Sequence, residues 1–290
     1  MKSFALILLF LYIQNINSVT FTEALDNLEI LESYITEFKT EKKSSTSYNH
    51  LVSCYIRLGA YTSSEWTIAG GSLPDGLEDY IKQKDTEKKT NAQGVRKYKE
   101  ITLPTKEKID FVHLFAVMNG IEYGGSYTDG YSSLVGWGGD TAQLLQDIKG
   151  EAGTLDELID IVKTKYLGVK GQFGAADLVS DLDAPVILNS RKDDNTFASV
   201  MKNYYENGDC IKRVENFVKL TFPKVEKSAL RAQAFNRYNS DTYINILECK
   251  YGVRASGLLG CIIPRDILSQ YKNHQKAAVY GFADYLTSNY

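Results

Sequence analysis

Between Phe111 and Met118 the chain reads Phe-Val-His-Leu-Phe-Ala-Val-Met, so His113 is its only polar side chain. A helix apolar on every side has no face to offer water and has to be wrapped by other elements. Lys106–Met118 therefore predicts a buried central helix, ended by Gly120, Gly124 and Gly125. Helical spacing dominates elsewhere. Phe21–Lys39 puts Leu25, Leu28, Leu31, Ile35 and Phe38 at helical intervals. Tyr48–Leu58, Ile211–Leu220, Ser228–Tyr238 and Asp266–Thr287 read the same way, and convincing strand alternation is scarce. The expected fold class is mainly α: a compact multi-helix domain with long Gly/Tyr-rich loops, stabilised by disulfides.

Two further helices are predicted in the middle of the chain. Asp140 is placed to cap one running to Lys149, and Thr154-Leu155-Asp156-Glu157 forms a capping box before the apolar positions Leu158, Ile159 and Val162. Gly168–Asn189 begins as a loop and then carries an apolar stretch, Val186–Leu188. Pro185 argues against one continuous helix there.

The first 18 residues have the layout of a secretory signal peptide. Lys2 is followed by the apolar run Phe4–Ile13 and by polar Gln14–Ser18. The apolar core is about half the roughly 20 residues that a membrane span needs, so cleavage is expected rather than anchoring. The expected location is outside the cell or in the lumen of the secretory pathway, with a soluble mature chain. The expected organisation is a small N-terminal helical unit at 19–82, a charged surface excursion at 83–105 and a main helical domain at 106–290. A formal charge of −3 and a pI near 5.8 argue against a general affinity for nucleic acid or anionic membranes.

An even number of cysteines in an exported chain is most simply read as disulfides. Cys249 and Cys261 flank a short glycine-containing segment and are the preferred pair, which leaves Cys54 to join Cys210. No Cys-x-x-Cys or Cys/His spacing of a metal site occurs, and neither a metal nor another cofactor is expected.

Asp110 and His113 stand three apart and, on a continuous helix, share a face. A carboxylate beside an imidazole fixes its tautomer and supports its charged form, which serves acid–base chemistry or simply satisfies a buried histidine. Gly136-Trp137-Gly138-Gly139-Asp140 follows, where glycines admit close backbone approach and Trp137 can stack on a sugar ring. Asp177, Asp181 and Asp183 are candidate second carboxylates without the spacing of a calcium loop. Tyr123, Tyr127 and Tyr131 form an aromatic loop suited to glycan or protein contact. His50 and His274 lie in polar surroundings and are expected to be exposed.

Asp110-x-x-His113 followed by Gly-Trp-Gly-Gly-Asp140 resembles a pattern in uncharacterised secreted proteins of bacteria and microbial eukaryotes, over residues 48–185 if Tyr55-Ile56-Arg57 and Trp66 belong to it. The resemblance implies no activity. It does imply that Asp110, His113 and Asp140 sit near one another.

Familiar enzyme signatures are missing. The chain has no Gly-x-Ser-x-Gly elbow, no His-Glu-x-x-His helix and no phosphate loop. A Cys54/His113 thiol hydrolase requires Cys54 to stay reduced, against the disulfide expectation. The expected function is a secreted hydrolase of an extracellular polymer, a cell-wall glycan or peptide. Its catalytic residues would be Asp110, His113 and Asp140, with Tyr123, Tyr127, Tyr131 and Trp137 binding substrate. The alternatives are a non-catalytic glycan- or protein-binding module and a structural surface or matrix protein.

Overall fold

Thr20 starts the first helix. Its hydroxyl accepts the Glu23 N–H at 3.2 Å, and α1 runs Phe21–Glu41 with Leu25, Leu28, Leu31, Ile35 and Phe38 turned inward as their spacing requires. The computed structural model describes residues 19–60, 72–124, 175–238, 280 and 283–290. Among these, α2 (Tyr48–Ala60) follows, with the Ser47 hydroxyl accepting the His50 N–H at 3.1 Å. Next come α3 (Leu77–Lys88) and a short 3-10 helix at Ala92–Lys97. The strands β1 (Glu100–Thr102) and β2 (Lys108–Asp110) then form an antiparallel hairpin. After it come α4 (Phe111–Gly124), α5 (Ala175–Ser190) and α6 (Phe197–Glu206). A 3-10 turn at Asp209–Lys212 leads into α7 (Arg213–Thr221) and α8 (Lys227–Tyr238), and residues 283–289 are again helical. The protein is mainly helical. No helix among the described residues is long and apolar enough to cross a membrane.

The apolar segment is the centre of the fold, with Phe111, Leu114, Phe115 and Met118 fully buried. It is wrapped by α2 on one side and α5 on the other. The helix nevertheless starts at Phe111, not Lys106. Residues Lys108–Asp110 pair with Glu100–Thr102 in a register that sets buried Ile109 opposite buried Ile101, with Glu100, Thr102 and Lys108 exposed and Asp110 half-buried. A three-residue alternation inside a charged stretch is too short to stand out against helical periodicity. The residues read as a charged excursion, 83–105, keep their lysines and glutamates largely outside while Asp85, Ala92, Val95, Ile101 and Leu103 turn inward.

Pro185 lies inside α5 and does not interrupt it. Proline removes the helical donor for the carbonyl four residues earlier. Here the packing of Leu182, Asp183, Ala184, Ile187 and Leu188, all buried, holds the helix through the defect. That helix also joins two apolar clusters. One surrounds α4; the other comprises Leu182, Val214, Phe217, Val218, Phe222, Leu230, Ala234, Ala283 and Leu286, and Val186 packs against both.

The Cys54–Cys210 bridge is not formed: both residues are buried thiols. Cys54 sits inside α2 beside Arg57, whose Nη2 lies 3.4 Å from its sulfur. Cys210 sits in the 3-10 turn, with its thiol towards the Tyr205 carbonyl at 3.8 Å. The disulfide-stabilised part of the expected fold is withdrawn for this pair. Cys249, Cys261, the leader Met1–Ser18, the capping box at 154–157 and the helix expected at 140–149 lie outside the described residues.

One close approach sets how α2 meets the 3-10 helix. A Cβ on Gly59 would stand 2.1 Å from the Arg96 Cβ and 2.7 Å from its carbonyl oxygen. Main chain cannot swing aside as a flexible side chain can, so Gly59→Ala is expected to destabilise by about 1–3 kcal/mol. A urea titration of the variant checks this, and unchanged stability would show that the two segments separate freely.

Candidate functional site

Asp110 is the last residue of β2 and the residue before α4, which makes it the cap of that helix. Its Oδ1 accepts the main-chain N–H of His113 at 2.9 Å. The expected side-chain pair between Asp110 and His113 is therefore corrected. The spacing is real, but the carboxylate meets the amide of His113 rather than its ring.

The imidazole goes to α5 instead. His113 Nε2 lies 2.8 Å from Asp181 Oδ1. A carboxylate can only accept, so Nε2 carries the hydrogen against ionised Asp181. The His113 side chain is 5% exposed and that of Asp181 12%. The pair is thus largely withdrawn from water, where a hydrogen bond to a charged group is strong. Next to Asp181, the buried Ser180 reaches across to Asp110. Its hydroxyl accepts the Asp110 N–H at 3.1 Å and donates to the Asp110 carbonyl at 3.0 Å.

Asp183 does not join this group. Two residues along a helix is a rotation of about 200°, so Asp183 faces the other side of α5, where it is fully buried. There it accepts the Tyr204 hydroxyl at 2.7 Å and Arg213 Nε at 3.1 Å. Burial pushes its carboxyl up to about 6, although Arg213 and Tyr204 pull the other way. Arg213 also donates to both Glu107 oxygens at 2.8 Å, which ties α7 to the start of β2. The acidic trio is thus divided, with Asp181 on the histidine and Asp183 in a structural ion network. Asp177 is in α5, and its side chain lies outside the described residues, as does that of Tyr123 in α4; Tyr127, Tyr131, Trp137 and Asp140 lie outside them entirely.

The remaining candidates are settled by local contacts. His50, expected to be exposed, is half-buried, with Nδ1 3.3 Å from Asn119 Nδ2 and Nε2 3.3 Å from the Ser72 carbonyl. His274 is outside the described residues. Burial raises the Cys54 thiol above its ordinary range despite neighbouring Arg57, so it is a poor thiolate and the thiol-hydrolase reading loses its nucleophile. Among the described residues, no group of three or more His, Cys, Asp or Glu converges as a metal ion would require. Sequence reasoning missed Ser180, Arg213 and Glu107. Ser180 carried one signal, its place beside a candidate carboxylate.

Over 133 residues the chain is 29% identical to "Uncharacterized protein YkzU" of Bacillus subtilis (strain 168), an alignment covering 44% of this chain and 77% of that protein. No solved structure matches. The family model described as "YkzU uncharacterised protein" matches residues 115–290, which include Ser180, Asp181 and Asp183 and begin just after His113. By that match, which spans more than half its length, the chain belongs to the YkzU family.

Proposed function

We propose that the protein is a hydrolase of an extracellular polymer, a cell-wall glycan or peptide, in which His113 is the acid–base group and Asp181 orients it. The observation that carries the reading is the 2.8 Å contact between His113 Nε2 and Asp181 Oδ1. In this reading the other ring nitrogen, Nδ1, exchanges the reaction's proton once substrate and water reach the ring. It takes a proton from water as the water oxygen bonds to the electrophilic carbon. It then returns that proton to the oxygen or nitrogen leaving group as the old bond breaks. Asp181 stabilises the imidazolium between the two transfers. Asp110 serves by capping α4, not by moving protons. Export through the Met1–Ser18 leader places such a substrate within reach.

The test is release of soluble fragments from purified bacterial cell wall by the full mature chain. His113→Gln is expected to lower the rate by about 10²–10⁴-fold, the usual worth of a positioned acid–base group. Far-UV circular dichroism should be unchanged. Equal release by the wild type and His113→Gln, or none by the wild type, would leave the pair as a satisfied buried histidine.

A second reading is carried by a separate feature, a cleft of about 650 Å³ between the end of α1 and residues 191–196. Lys39, Lys43, Arg191, Asp193 and Asn195 line it, a polar surface suited to non-catalytic binding of a glycan or peptide. Under this reading, Arg191→Ala weakens retention of the chain on purified cell wall while His113→Gln leaves it unchanged.

A further inference from the structure

We infer that Ser180 is the positioning residue of the His113–Asp181 pair, an inference that rests on the acid–base reading of that pair. The Phe111 N–H bonds the Lys99 carbonyl at 2.8 Å, which makes that position a hydrogen-bonded one in the antiparallel ladder. Such positions alternate, so the main-chain groups of Asp110, paired with Glu100, point away from β1. Among the described residues no third strand continues the sheet, which has the order β1-β2. Both groups are taken instead by one hydroxyl, with Ser180 Oγ accepting at 3.1 Å and donating at 3.0 Å. Ser180 acts as the missing neighbour of β2.

The consequence lies in the adjacent residue on each side. Asp110 and His113 belong to one strand–helix junction, whose geometry is held by the Asp110 cap at 2.9 Å. Ser180 and Asp181 are consecutive on α5. The Ser180–Asp110 bonds and the Asp181–His113 bond are therefore two fastenings between the same two rigid pieces. A single imidazole–carboxylate contact leaves the carboxylate free to pivot or slide; a second point beside it fixes both distance and direction. Pro185 cannot donate to the Asp181 carbonyl, so one helical hydrogen bond is missing beside the pair.

The readout is the imidazole N–H proton of His113 in the NMR spectrum of the full mature chain. Hydrogen-bonded to a carboxylate, it is a downfield resonance with slow solvent exchange, assigned by its disappearance in His113→Gln. Ser180→Ala is expected to speed its exchange about ten-fold or more, the equivalent of losing one hydrogen bond's worth of holding. Ser180→Thr, which keeps the hydroxyl, should restore the wild-type rate. A role confined to general stability would lower the melting temperature in Ser180→Ala without moving this resonance. If the alanine variant does not fold, Ser180→Cys keeps the volume while weakening both bonds and is read in the same way. Unchanged position and exchange in the folded variant overturns the inference. The measurement needs no turnover, so failure of the cell-wall assay and failure of the positioning role are separate results.

Discussion

Arg213→Ala is expected to lower the unfolding free energy by about 3–5 kcal/mol at neutral pH, the usual loss when one partner of a buried ion pair is removed. Asp183 is fully buried, and Arg213 supplies its counter-charge through Nε at 3.1 Å and Nη2 at 3.4 Å. Without the guanidinium, the carboxylate keeps the Tyr204 hydroxyl at 2.7 Å but loses the Arg213 counter-charge, and Glu107 loses its bonds to α7. The pH dependence has a definite sign. Burial lifts the folded Asp183 carboxyl to about 6, above its unfolded value of about 3.9. Between those values the folded state binds more protons, so this residue's contribution is complete below about pH 4 and is lost as pH rises through about 6. Removing Arg213 pushes the carboxyl higher still. The penalty of Arg213→Ala should therefore be largest at neutral pH and shrink towards pH 5, where a neutral Asp183 needs no counter-charge. Urea melts at both pH values check this. The double variant Arg213→Met with Asp183→Leu should regain most of the loss, since neither charge is then buried alone. A pH-independent penalty below about 1 kcal/mol, the range of exposed pairs, would show that water reaches the network.

Glu32→Ala is expected to cost a comparable amount, about 3 kcal/mol or more, for a different reason. Glu32 lies on α1 and is 1% exposed, and its carboxylate caps the first turn of α6. It accepts the N–H groups of Phe197 and Ala198 at 2.6 and 2.9 Å and the Tyr48 hydroxyl at 2.7 Å. Alanine strands the buried amides of Phe197 and Ala198 and releases the half-buried Tyr48 hydroxyl, and each unsatisfied buried group costs about 1–3 kcal/mol. Glu32→Gln keeps one acceptor but turns an amide NH₂ towards donors, so it should fall between the wild type and alanine. Thermal melts rank the three proteins. Hydrogen exchange localises the defect, because the Phe197 and Ala198 amides should lose protection in both variants. Retained protection in Glu32→Ala would mean that α6 is capped by Thr196 and Ser199 alone. Those residues form their own box at 3.1 Å in each direction and leave the first two amides to Glu32.

Much of the framework was legible because it follows from local periodicity. The inward positions of α1, the apolar α4 and the helices at 48–60 and 227–238 are written in the spacing of their own side chains. The departures occur where a contact distant in sequence outweighs a local signal. Lys108–Asp110 became a strand because Glu100–Thr102 is there to pair with it. Pro185 stayed within a helix because apolar packing covers the missing bond. At the candidate site, Asp110 and His113 were identified as a pair from their spacing, and they do touch, through an amide. Asp181 was among the candidate carboxylates, but nothing in the chain distinguishes it from Asp183, which does entirely different work two residues on.

His113 as a lone polar group in an apolar helix follows from the order of residues alone, since a helix buried on every side has to satisfy any polar atom it carries. Which partner satisfies it was decided only by tertiary structure. The Ser180 hydroxyl meets the open edge of β2, and that meeting brings α5 against α4 with Asp181, rather than Asp183, turned towards the ring. The helical rotation of about 200° between those two carboxylates is a local constant. Which of them faces α4 depends on how α5 is rolled as it packs, and that is set by residues about 70 positions away in the chain.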